Sequence, residues 1–323
     1  MAGYGIYFVR LTIRGRPRST LWVSTINQAY GSPDQQEDII EYSAIIVAYK
    51  RIDLLQNVLL NLSRQTLPPE SVVIVDNGGT LSAVDLLSFP LGHLATLVSM
   101  PHNPGYAPAV NRAGRELGGR SSATLVLTHD AQFDEHLGAG LIEALSEDPT
   151  AGASAPLLYW SSRPDAIFSA GGVLRAGGRA FHSKRPRSKG AYEVDWVDGA
   201  IVMYRTTTLD LIGWLDERYF LYFEDVDTAQ TMRLHDARTL LVPSVIAHQE
   251  PGAHPLYLSI RNMTLFARKA GEGRVAQAAA VSIRVLEDSF WRLRSGNFPR
   301  LREAWRGWKD GLNGVEGKPS EHL

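Results

Sequence analysis

Three carboxylates lie within four positions of one another, directly after an aromatic run. Glu224, Asp225 and Asp227 follow the segment from Tyr219 to Phe223. Carboxylates this close repel one another, and apolar neighbours raise the cost of keeping them ionised. A chain tolerates such a cluster where a cation, a reacting hydroxyl or a helix N-terminus uses the negative charge. Two interpretations are therefore open: the acids cap the helix predicted by the residues that follow, or they form a catalytic site.

Three further polar residues stand where predicted strands end. Residues 43–49, 71–75 and 123–127 are short apolar runs, which is typical of strands buried on both faces of a parallel sheet. Tyr49, Asp76 and Asp130 lie at or just beyond the ends of these runs. In open α/β sheets, ligands bind beyond the carboxyl ends of the strands. The sequence therefore predicts that all three residues face one ligand-binding edge.

Helical patterns alternate with these strands. One begins at Asp53, and others cover residues 107–117, 135–146 and 257–269. The alternation predicts a right-handed βαβ series, and hence an α/β fold whose sheet is open and mostly parallel, with helices on both faces. Residues 151–190 are rich in Gly, Ser, Pro and Arg and predict irregular or antiparallel structure over the sheet.

The pattern divides the chain into three regions. Residues 1–42 show weak periodicity and are expected to form an N-terminal extension, residues 43–270 the α/β domain, and residues 271–323 a C-terminal helical region. In the last region Trp291, Trp305 and Trp308 stand among basic residues. This composition suits packing on the domain, pairing with another subunit, or a helix at a membrane surface, and ordinary packing is the default.

Composition narrows the function classes. The 323 residues carry a formal net charge of −1, so no overall field favours nucleic acid, and we expect no nucleic-acid partner. Cysteine is absent, which removes disulfides, thiolate metal sites and cysteine nucleophiles and fits a reducing compartment. No apolar run approaches the length that crosses a bilayer. We expect a cytoplasmic location, with at most peripheral contact at the inner face of the membrane.

Several segments together resemble a known family. In order, they are residues 46–51, 67–78, 103–106 with 111–112, 198–205, 213–220 and 223–227, followed by His248. This set, spanning Ala44 to about Lys269, resembles the inverting family 2 glycosyltransferases of the GT-A fold, particularly their rhamnosyltransferase-like branch. The resemblance implies a GT-A-type sheet with a C-terminal helical extension. It also implies sugar transfer by single displacement from a nucleotide-diphosphate donor, with UDP- or dTDP-sugars expected, to a hydroxyl acceptor in cell-wall, polysaccharide, glycolipid or natural-product synthesis.

The donor side would use residues near the strand ends. In the family, the aspartate matched by Asp76 accepts a hydrogen bond from the nucleobase; the alternative is a turn aspartate that binds backbone N–H groups. Tyr49 could stack on the base, and Arg51 could face a phosphate or remain a solvated charge. Asn103 lies in a loop held open before a helix. Arg112, on that helix, could reach the diphosphate, with a helix-surface arginine as the default.

The metal motif of the family is shortened here. Members usually carry Asp-X-Asp after the fourth strand, and this chain has Thr128-His129-Asp130. His248 matches a late metal-binding histidine, so Asp130 and His248 with diphosphate oxygens are the expected ligands of Mn²⁺ or Mg²⁺. Mn²⁺ accepts an imidazole more readily than Mg²⁺ does. Because one carboxylate is missing, metal dependence is left open, and His129 is expected to be structural.

The resemblance assigns catalysis to the acidic cluster. Asp225 matches the general base, which accepts the proton of the acceptor hydroxyl as that oxygen attacks the anomeric carbon. Glu224 is expected to bind acceptor hydroxyls or to tune the pKa of Asp225, and Asp227 to be a first-turn helix carboxylate. Asp198 has a counterpart on the acceptor side. Trp196 is either a stacking platform for the acceptor sugar or a core tryptophan.

Other function classes fit less well. A nucleotidyltransferase needs a Gly-rich phosphate loop after the first strand, and a dehydrogenase needs G-x-G-x-x-G there, but residues 48–53 contain no glycine. A non-catalytic relative that binds sugar nucleotides or carbohydrates is the alternative from another class. The shortened metal motif favours it, whereas the acidic cluster and His248 oppose it.

Overall fold

The computed structural model describes residues 41–250, 252 and 254–319, so nearly all of the predicted N-terminal extension lies outside the described residues. The strands are β1 (Tyr42–Ala48), β2 (Ser71–Asp76), β3 (Ala95–Ser99), β4 (Ala123–Thr128), β5 (Gln132–Phe133), β6 (Ala151–Trp160), β7 (Ile167–Ser169), β8 (Gly172–Arg175), β9 (Arg179–His182), β10 (Tyr192–Glu193), β11 (Ile201–Arg205) and β12 (Arg238–Gln249). The α-helices are α1 (Ile52–Ser63), α2 (Ala83–Leu86), α3 (Tyr106–Leu117), α4 (Leu137–Glu147), α5 (Thr206–Ile212), α6 (Glu224–Leu234), α7 (Leu256–Lys269), α8 (Arg274–Arg294) and α9 (Leu301–Asn313).

One mixed sheet organises the fold. Its strand order is β10-β12-β6-β11-β4-β1-β2-β3, with β5 paired to β12 and β7 paired to β6. Strands β1 to β4 pair in parallel, as do β6 and β12, whereas β11 runs antiparallel to both of its neighbours, β4 and β6. Strands β3, β2, β1, β4, β6 and β12 therefore all point the same way. The predicted open, mostly parallel α/β sheet is confirmed.

The reversed strand β11 brings a second set of residues to the ligand edge. Ile201 at its start pairs with Leu127 near the end of β4, and Thr128 donates a 2.9 Å backbone bond to Ala200. Residues 198–200, which lead into β11, consequently lie beside the carboxyl end of β4. Residues before β11 and after β4 thus meet at one place.

The strands send alternate side chains into two cores. In β1, Ala44, Ile46 and Ala48 pack into the core formed with α1 and α4, whereas Ile45 and Val47 pack into the core formed with α3, α5 and α6. All five side chains are buried, which explains the continuous apolar run in the sequence. Helices on both faces of the sheet are confirmed.

Residues 151–160 differ from expectation. They form the ten-residue strand β6 inside the sheet, with their first eight positions buried. The small residues in it are required by close packing, because a Cβ on Gly152 would lie 2.8 Å from Cγ2 of Thr208. The Ser154 hydroxyl is satisfied by donating a 2.8 Å bond to the carbonyl of Leu141. Tertiary packing here overrides the low strand propensity of Gly, Ser and Pro.

The C-terminal helices pack around α7. Gly307 and Gly311 of α9 let it approach closely, since a Cβ at either would lie under 3 Å from a carbonyl oxygen, of Tyr257 and Arg261 respectively. Leu256 and Ile260 of α7 lie in a core shared with α8 and α9. Within the described parts of the chain, no helix combines the length and apolar character needed to cross a bilayer. A domain boundary near residue 270 stays a prediction.

Candidate active site

The acidic cluster begins a helix that starts from a strained turn. Tyr222 and Phe223 have φ of 72° and 76°, a left-handed backbone that non-glycine residues adopt at a cost. The Nδ2 of Asn262, on α7, donates bonds of 2.9 and 2.8 Å to the carbonyls of Leu221 and Tyr222. Asn262 is completely buried. The turn is therefore held by a buried amide, and Glu224 and Asp225 occupy the first two positions of α6 as a result.

A glycine admits the same segment from the other side. The backbone N–H of Tyr106 donates a 2.9 Å bond to the carbonyl of Phe220. Gly105, just before it, has φ of 121°, and a Cβ there would lie 2.5 Å from the Phe220 oxygen. Because only glycine fits this close approach and this φ, Gly105 fixes the distance between the α3 N-terminus and the aromatic run.

Asp225 faces the loop that leads into β11. Its Oδ2 accepts a 3.2 Å bond from the backbone N–H of Gly199, and its Oδ1 accepts a 2.8 Å bond from that of Val226. Gly199 is itself held by the Tyr106 hydroxyl, which donates a 2.6 Å bond to its carbonyl. The structure thus brings the carboxylate of Asp225 to the ligand edge beside Asp198.

Burial shifts the pKa values of this carboxyl group and its neighbours. Burial raises the pKa of Asp225 to about 6, although backbone N–H donors partly oppose the shift. The pKa of Asp198 rises to about 7, first through burial and then through the charge of Asp225. The pKa of Glu224 rises well above its usual value for the same two reasons, and its buried Oε2 has no hydrogen-bond partner among the described residues. The three carboxyl groups are therefore not all fully ionised near pH 7.

Asp227 has a different role from its neighbours. It is 2% exposed, and its Oδ2 lies 2.5 Å from Nζ of Lys269 on α7, while the Tyr219 hydroxyl donates a 3.2 Å bond to its Oδ1. An ammonium partner and a hydroxyl donor satisfy this carboxylate inside the fold. Asp227 therefore anchors the first turn of α6 to α7, in keeping with the predicted structural carboxylate.

Trp196 lies in the core. Its side chain is 4% exposed and packs over Gly172, where a Cβ would lie 2.0 Å from the indole Cε2. The ring centroid of His182 lies 4.7 Å from that of Trp196 and 4.7 Å from that of Phe168. This placement favours the core interpretation of Trp196 over the open stacking platform.

Two residues that the sequence analysis did not select as site residues, His182 and Lys184, lie near Asp198. Nε2 of His182 lies 3.9 Å from Oδ2 of Asp198, but burial, with help from the charge of Lys184, lowers the pKa of His182 to about 3, so the imidazole is neutral at pH 7. Lys184 donates a hydrogen bond to the Phe168 carbonyl and lies close enough to Asp198 to influence its pKa. A neutral ring and one cation therefore border this carboxyl.

A stacked aromatic pair flanks the acidic cluster. The rings of Tyr222 and His254 lie 4.1 Å apart with an interplanar angle of 16°. The carboxylates of Glu224 and Asp198 both act on the pKa of Tyr222, which burial raises in the first place. The stacked pair thus lies beside the acids, and aromatic rings pack well against the C–H face of a sugar.

The predicted donor residues of the first loop are exposed. Tyr49 is 43% exposed and lies under the ammonium of Lys50, 5.0 Å from the ring centroid. Arg51 forms a two-bond contact with Asp53, at 2.9 and 2.7 Å, and the charge of Asp130 is close enough to influence its pKa. Stacking on a base by Tyr49 and phosphate contact by Arg51 stay predictions, and both side chains are accessible for them.

Asp76 is fully buried and bonded to its own turn. Its Oδ1 accepts a 2.9 Å bond from Gly78 N–H, and its Oδ2 accepts bonds of 2.6 and 2.8 Å from the N–H groups of Thr80 and Leu81. These bonds agree with the alternative interpretation, in which Asp76 accepts hydrogen bonds from backbone N–H groups of a turn. A contact between Asp76 and a nucleobase stays a prediction.

Asn103 lies in the turn before α3, and Arg112 lies within that helix. Asn103 has φ of 46°, and its N–H closes a turn on Met100 with a 3.0 Å bond. Arg112 pairs with Glu116 one turn further along α3, at 3.0 Å, with 41% of its side chain exposed. The pairing matches the helix-surface alternative for Arg112, so its contact with a diphosphate is a prediction, as is a donor contact by Asn103.

Asp130 and His248 line one cleft. The cleft has a volume of about 610 Å³, and its wall also includes Asn57, Gln132 and Asp134. Strand β12 pairs antiparallel with β5 so that His248 stands opposite Gln132, two positions after Asp130. Among the described residues, no group of three or more His, Cys, Asp or Glu side chains could hold a metal.

The donor atoms of this cleft fit a metal that is held only partly by protein. Asp130 would supply carboxylate oxygens and His248 an imidazole nitrogen, a set that suits Mn²⁺ better than Mg²⁺. Diphosphate oxygens and waters would have to complete the coordination shell. His129 takes no part in this cleft; its backbone N–H and its Nδ1 both lie within hydrogen-bond distance of the Val47 carbonyl, which is consistent with a structural role.

The comparisons with known proteins agree with this arrangement. Residues 43–202 match the family model described as glycosyl transferase family 2. Residues 43–202 are a glycosyl transferase family 2 domain. The protein is accordingly a glycosyltransferase.

A curated relative of this chain is named as a rhamnosyltransferase. It is the N-acetylglucosaminyl-diphospho-decaprenol L-rhamnosyltransferase of Mycobacterium tuberculosis, which is 28% identical over 65% of this chain and 78% of its own length. The resemblance to rhamnosyltransferases is thereby confirmed.

Solved structures show the same fold as this chain. GalNAc-T7, solved with UDP, GalNAc and Mn²⁺, has a TM-score of 0.57 and 14% identity, covering 72% of this chain; the chain spans 48% of that enzyme. TarS 1–349 of S. aureus in complex with UDP-GlcNAc has a TM-score of 0.54 and 16% identity, covering 85% of this chain and 81% of TarS 1–349. At these identities the likeness concerns the fold, and it confirms the GT-A architecture.

Proposed function

We propose that this glycosyltransferase transfers a sugar from a nucleotide diphosphate to a hydroxyl acceptor by a single displacement, with Asp225 as general base. One observation carries the proposal. The Asp225 carboxyl lies at the ligand edge with a pKa raised to about 6, bonded to the Gly199 N–H and flanked by Asp198. A base works best when its pKa lies near the operating pH, because it is then ionised and still basic.

The proposed step balances in protons and bonds. The acceptor hydroxyl gives its proton to a free lone pair of Asp225 while its oxygen forms a bond to the anomeric carbon. The bond from that carbon to the diphosphate breaks, and the electron pair leaves with the nucleotide diphosphate. Attack from the face opposite the leaving group inverts the anomeric centre.

Neighbouring acids prepare Asp225 for this step. Glu224 is 6% exposed and has a pKa raised first by burial and then by Asp225, so its neutral form is favoured. In the neutral form it places no second negative charge beside the base and can donate a hydrogen bond to the acceptor. Asp198, with a pKa near 7, is proposed to accept a hydrogen bond from another acceptor hydroxyl.

The donor is proposed to lie across the ends of β1, β2 and β4. Asp130 and His248 would hold a divalent metal, Mn²⁺ or Mg²⁺, which neutralises charge on the leaving diphosphate when bound. Tyr49, Arg51, Asp76, Asn103 and Arg112 remain the candidates for contact with the nucleotide. A UDP- or dTDP-sugar is the proposed donor, as UDP-GlcNAc is the ligand named for TarS.

The acceptor is proposed to be a saccharide linked through a diphosphate to a polyprenol. The relative from M. tuberculosis carries such an acceptor in its name. The stacked pair of Tyr222 and His254 offers a flat surface for the terminal sugar beside Asp225. A role in cell-wall or polysaccharide synthesis follows from that acceptor class.

Asp225→Asn tests the proposal. The substitution keeps the shape of the side chain but removes its basicity, so kcat is expected to fall by about a thousandfold or more while donor binding persists. Asp236→Asn is the matched control, because Asp236 is exposed in a left-handed turn that asparagine also accepts. Donor binding by calorimetry and turnover of a panel of UDP- and dTDP-sugars are measured together. Near-normal turnover in Asp225→Asn removes the assignment.

A further inference from the structure

Helix α8 carries an apolar stripe that faces solvent. Ile283, Leu286, Phe290 and Leu293 are 40%, 68%, 61% and 61% exposed. Their separations of three, four and three positions place them on one face of the helix. A row of large apolar side chains exposed to water along one helix face indicates a site of interaction with a protein or a membrane.

The opposite face of α8 is already occupied. Ala280 and Val281 are buried in the core shared with α7 and α9, and Arg179 pairs with Glu287 at 2.6 Å. Arg284 donates a 3.3 Å bond to the Ser259 hydroxyl of α7. Because α8 is fixed through this face, the exposed stripe cannot be covered by rotating the helix.

Four more large apolar side chains near the turn between α8 and α9 are exposed. Trp291, Phe298, Leu301 and Trp305 are 64%, 87%, 59% and 61% exposed. We call these residues and the α8 stripe together the apolar turn surface. Tryptophan among apolar and basic residues is typical of helices that lie in the interface of a lipid bilayer.

The border of the apolar turn surface is basic. Residues 290–306 contain five arginines and one glutamate. The acidic side chains nearby are neutralised within the protein, since Asp288 pairs with Arg300 at 2.5 Å and Glu303 lies 3.8 Å from the same arginine. In the part of the chain that the structure describes, no ion pair involves Arg294 or Arg302. This border is complementary to anionic headgroups.

Helix α8 approaches the acidic cluster through its packed face. Arg284, one position after Ile283, is close enough to His254 for its charge to add to the effect of burial in lowering the pKa of that histidine. His254 in turn stacks on Tyr222, two positions before Glu224. Helix α8 thus carries the apolar turn surface on one face, while Arg284 on its packed face lies near the pair of His254 and Tyr222 beside the acidic cluster.

We propose that the apolar turn surface docks the protein on a bilayer that contains anionic lipid, with the acidic cluster facing an acceptor held in that bilayer. The docking site is independent of catalysis, but its purpose rests on the proposed lipid-linked acceptor. A second copy of this chain is the competing occupant. A two-fold contact would set the arginines of 290–306 against the same arginines of the partner, and that repulsion disfavours it.

Vesicle sedimentation tests the proposal without substrate. The whole protein is mixed with phosphatidylcholine vesicles, with or without phosphatidylglycerol, and the pelleted fraction is measured. We expect binding to the anionic vesicles that falls by about tenfold in Phe290→Ser/Trp291→Ser, because two large apolar side chains no longer enter the interface. Arg294→Ser, which leaves the apolar side chains in place, should weaken binding only to the anionic vesicles, and added salt should do the same.

Matched controls separate docking from folding and catalysis. Leu87→Ser removes a side chain that is 84% exposed far along the chain, and it should leave vesicle binding unchanged. Asp225→Asn should bind vesicles like the unaltered protein although it is inactive, so the two proposals fail separately. Circular dichroism verifies that each variant is folded.

Three results would overturn the docking proposal. The first is no binding of the unaltered protein to anionic vesicles. The second is equal binding by the unaltered protein and by the folded Phe290→Ser/Trp291→Ser variant. The third is a dimer by light scattering that Phe290→Ser/Trp291→Ser dissociates without any vesicle binding in the unaltered protein, which would assign the surface to a second copy.

Discussion

Asn262 donates a hydrogen bond of 2.8 Å to the backbone carbonyl of Tyr222. The same amide nitrogen reaches the carbonyl of Leu221 at 2.9 Å. Tyr222 and the next residue, Phe223, both have positive φ, so the bond holds a backbone that is unfavourable by itself. The position of Asp225 therefore depends on an amide more than thirty residues further along the chain.

Asn262→Ala should lower kcat more than it changes donor binding. Without the amide, two partly buried carbonyls lose their donor and the turn relaxes, at a cost of up to roughly 1–3 kcal/mol per unsatisfied group. We expect kcat to fall by about tenfold or more, with KM for the donor changed little, since misplacement of the base affects the chemical step. Steady-state kinetics and urea unfolding check both effects.

A second buried amide supplies the control for Asn262. Gln277 is 4% exposed, and its Nε2 donates a 2.7 Å bond to the Glu272 carbonyl, away from the acidic cluster. Gln277→Ala should therefore lower the free energy of unfolding without lowering kcat. Equal kcat values for the two variants would mean that Asn262 acts only on stability.

Gly105→Ala should disturb both stability and activity. The new Cβ would lie 2.5 Å from the Phe220 oxygen at a φ that alanine rarely adopts, so the loop and the aromatic run must separate. We expect a loss of about 2 kcal/mol or more in the free energy of unfolding, together with reduced kcat. Gly118→Ala is the control, because Gly118 has φ of 61° with no atom within 4 Å of the added Cβ. It should cost about 1 kcal/mol and leave kcat unchanged.

The pH dependence of the reaction should report Asp225. Its raised pKa means that the carboxylate fraction is high above about pH 6 and falls below it, so kcat/KM should fall about tenfold per pH unit below that value. Asp198→Asn removes a neighbouring carboxylate that opposes ionisation. The acidic limb of the profile should therefore move to lower pH. An unchanged limb in Asp198→Asn would show that the two groups do not titrate together.

Asp198 should also affect stability in a way that depends on pH. The folded pKa of about 7 lies above the unfolded value near 3.9, so the folded state binds more protons between these values. The contribution of Asp198 is therefore lost as pH rises from about 4 to 7. The melting temperature of Asp198→Asn relative to the unaltered protein should rise over that range. A constant difference between pH 5 and pH 8 would contradict the assigned pKa.

Much of the donor half was predictable from local pattern. The runs 43–49, 71–75 and 123–127 are continuously apolar because both faces of β1, β2 and β4 are covered, and such runs are easy to recognise in a sequence. Strand β6 was not predicted, since the small residues at 152, 154 and 156 suit it only where a neighbouring helix packs close. That packing is a property of the fold and leaves no periodic signal.

The acidic cluster was visible in the sequence, but what positions it was not. Glu224 and Asp225 stand out by charge, whereas Asn262, Gly105 and His254 act through contacts that join distant parts of the chain. One signal for Asn262 was present: Arg261 and Asn262 interrupt the apolar face of a predicted helix, and both are completely buried. Two polar residues inside an otherwise apolar helical run indicate side chains that are buried and form hydrogen bonds there.

Metal binding should require both Asp130 and His248 together with a diphosphate. His248→Ala is expected to raise the dissociation constant for Mn²⁺ in the presence of UDP by about tenfold or more, because an imidazole ligand is lost. His136→Ala is the control, since that histidine is exposed and its Nε2 lies 3.7 Å from the carboxylate of Glu135. Calorimetry with Mn²⁺ and UDP measures this without turnover. Equal Mn²⁺ affinity in His248→Ala would leave Asp130 as the single protein ligand.

The reversal of β11 separates two kinds of sequence change. Parallel strands β1, β2 and β4 deliver their ends to the ligand edge from one direction, while the loop before β11 arrives there from the other. Substitutions or insertions in residues 183–200 can therefore remodel one wall of the crevice and leave the opposite wall intact. In a fold built in this way, the proposed acceptor site can diverge in sequence while the proposed donor site is retained.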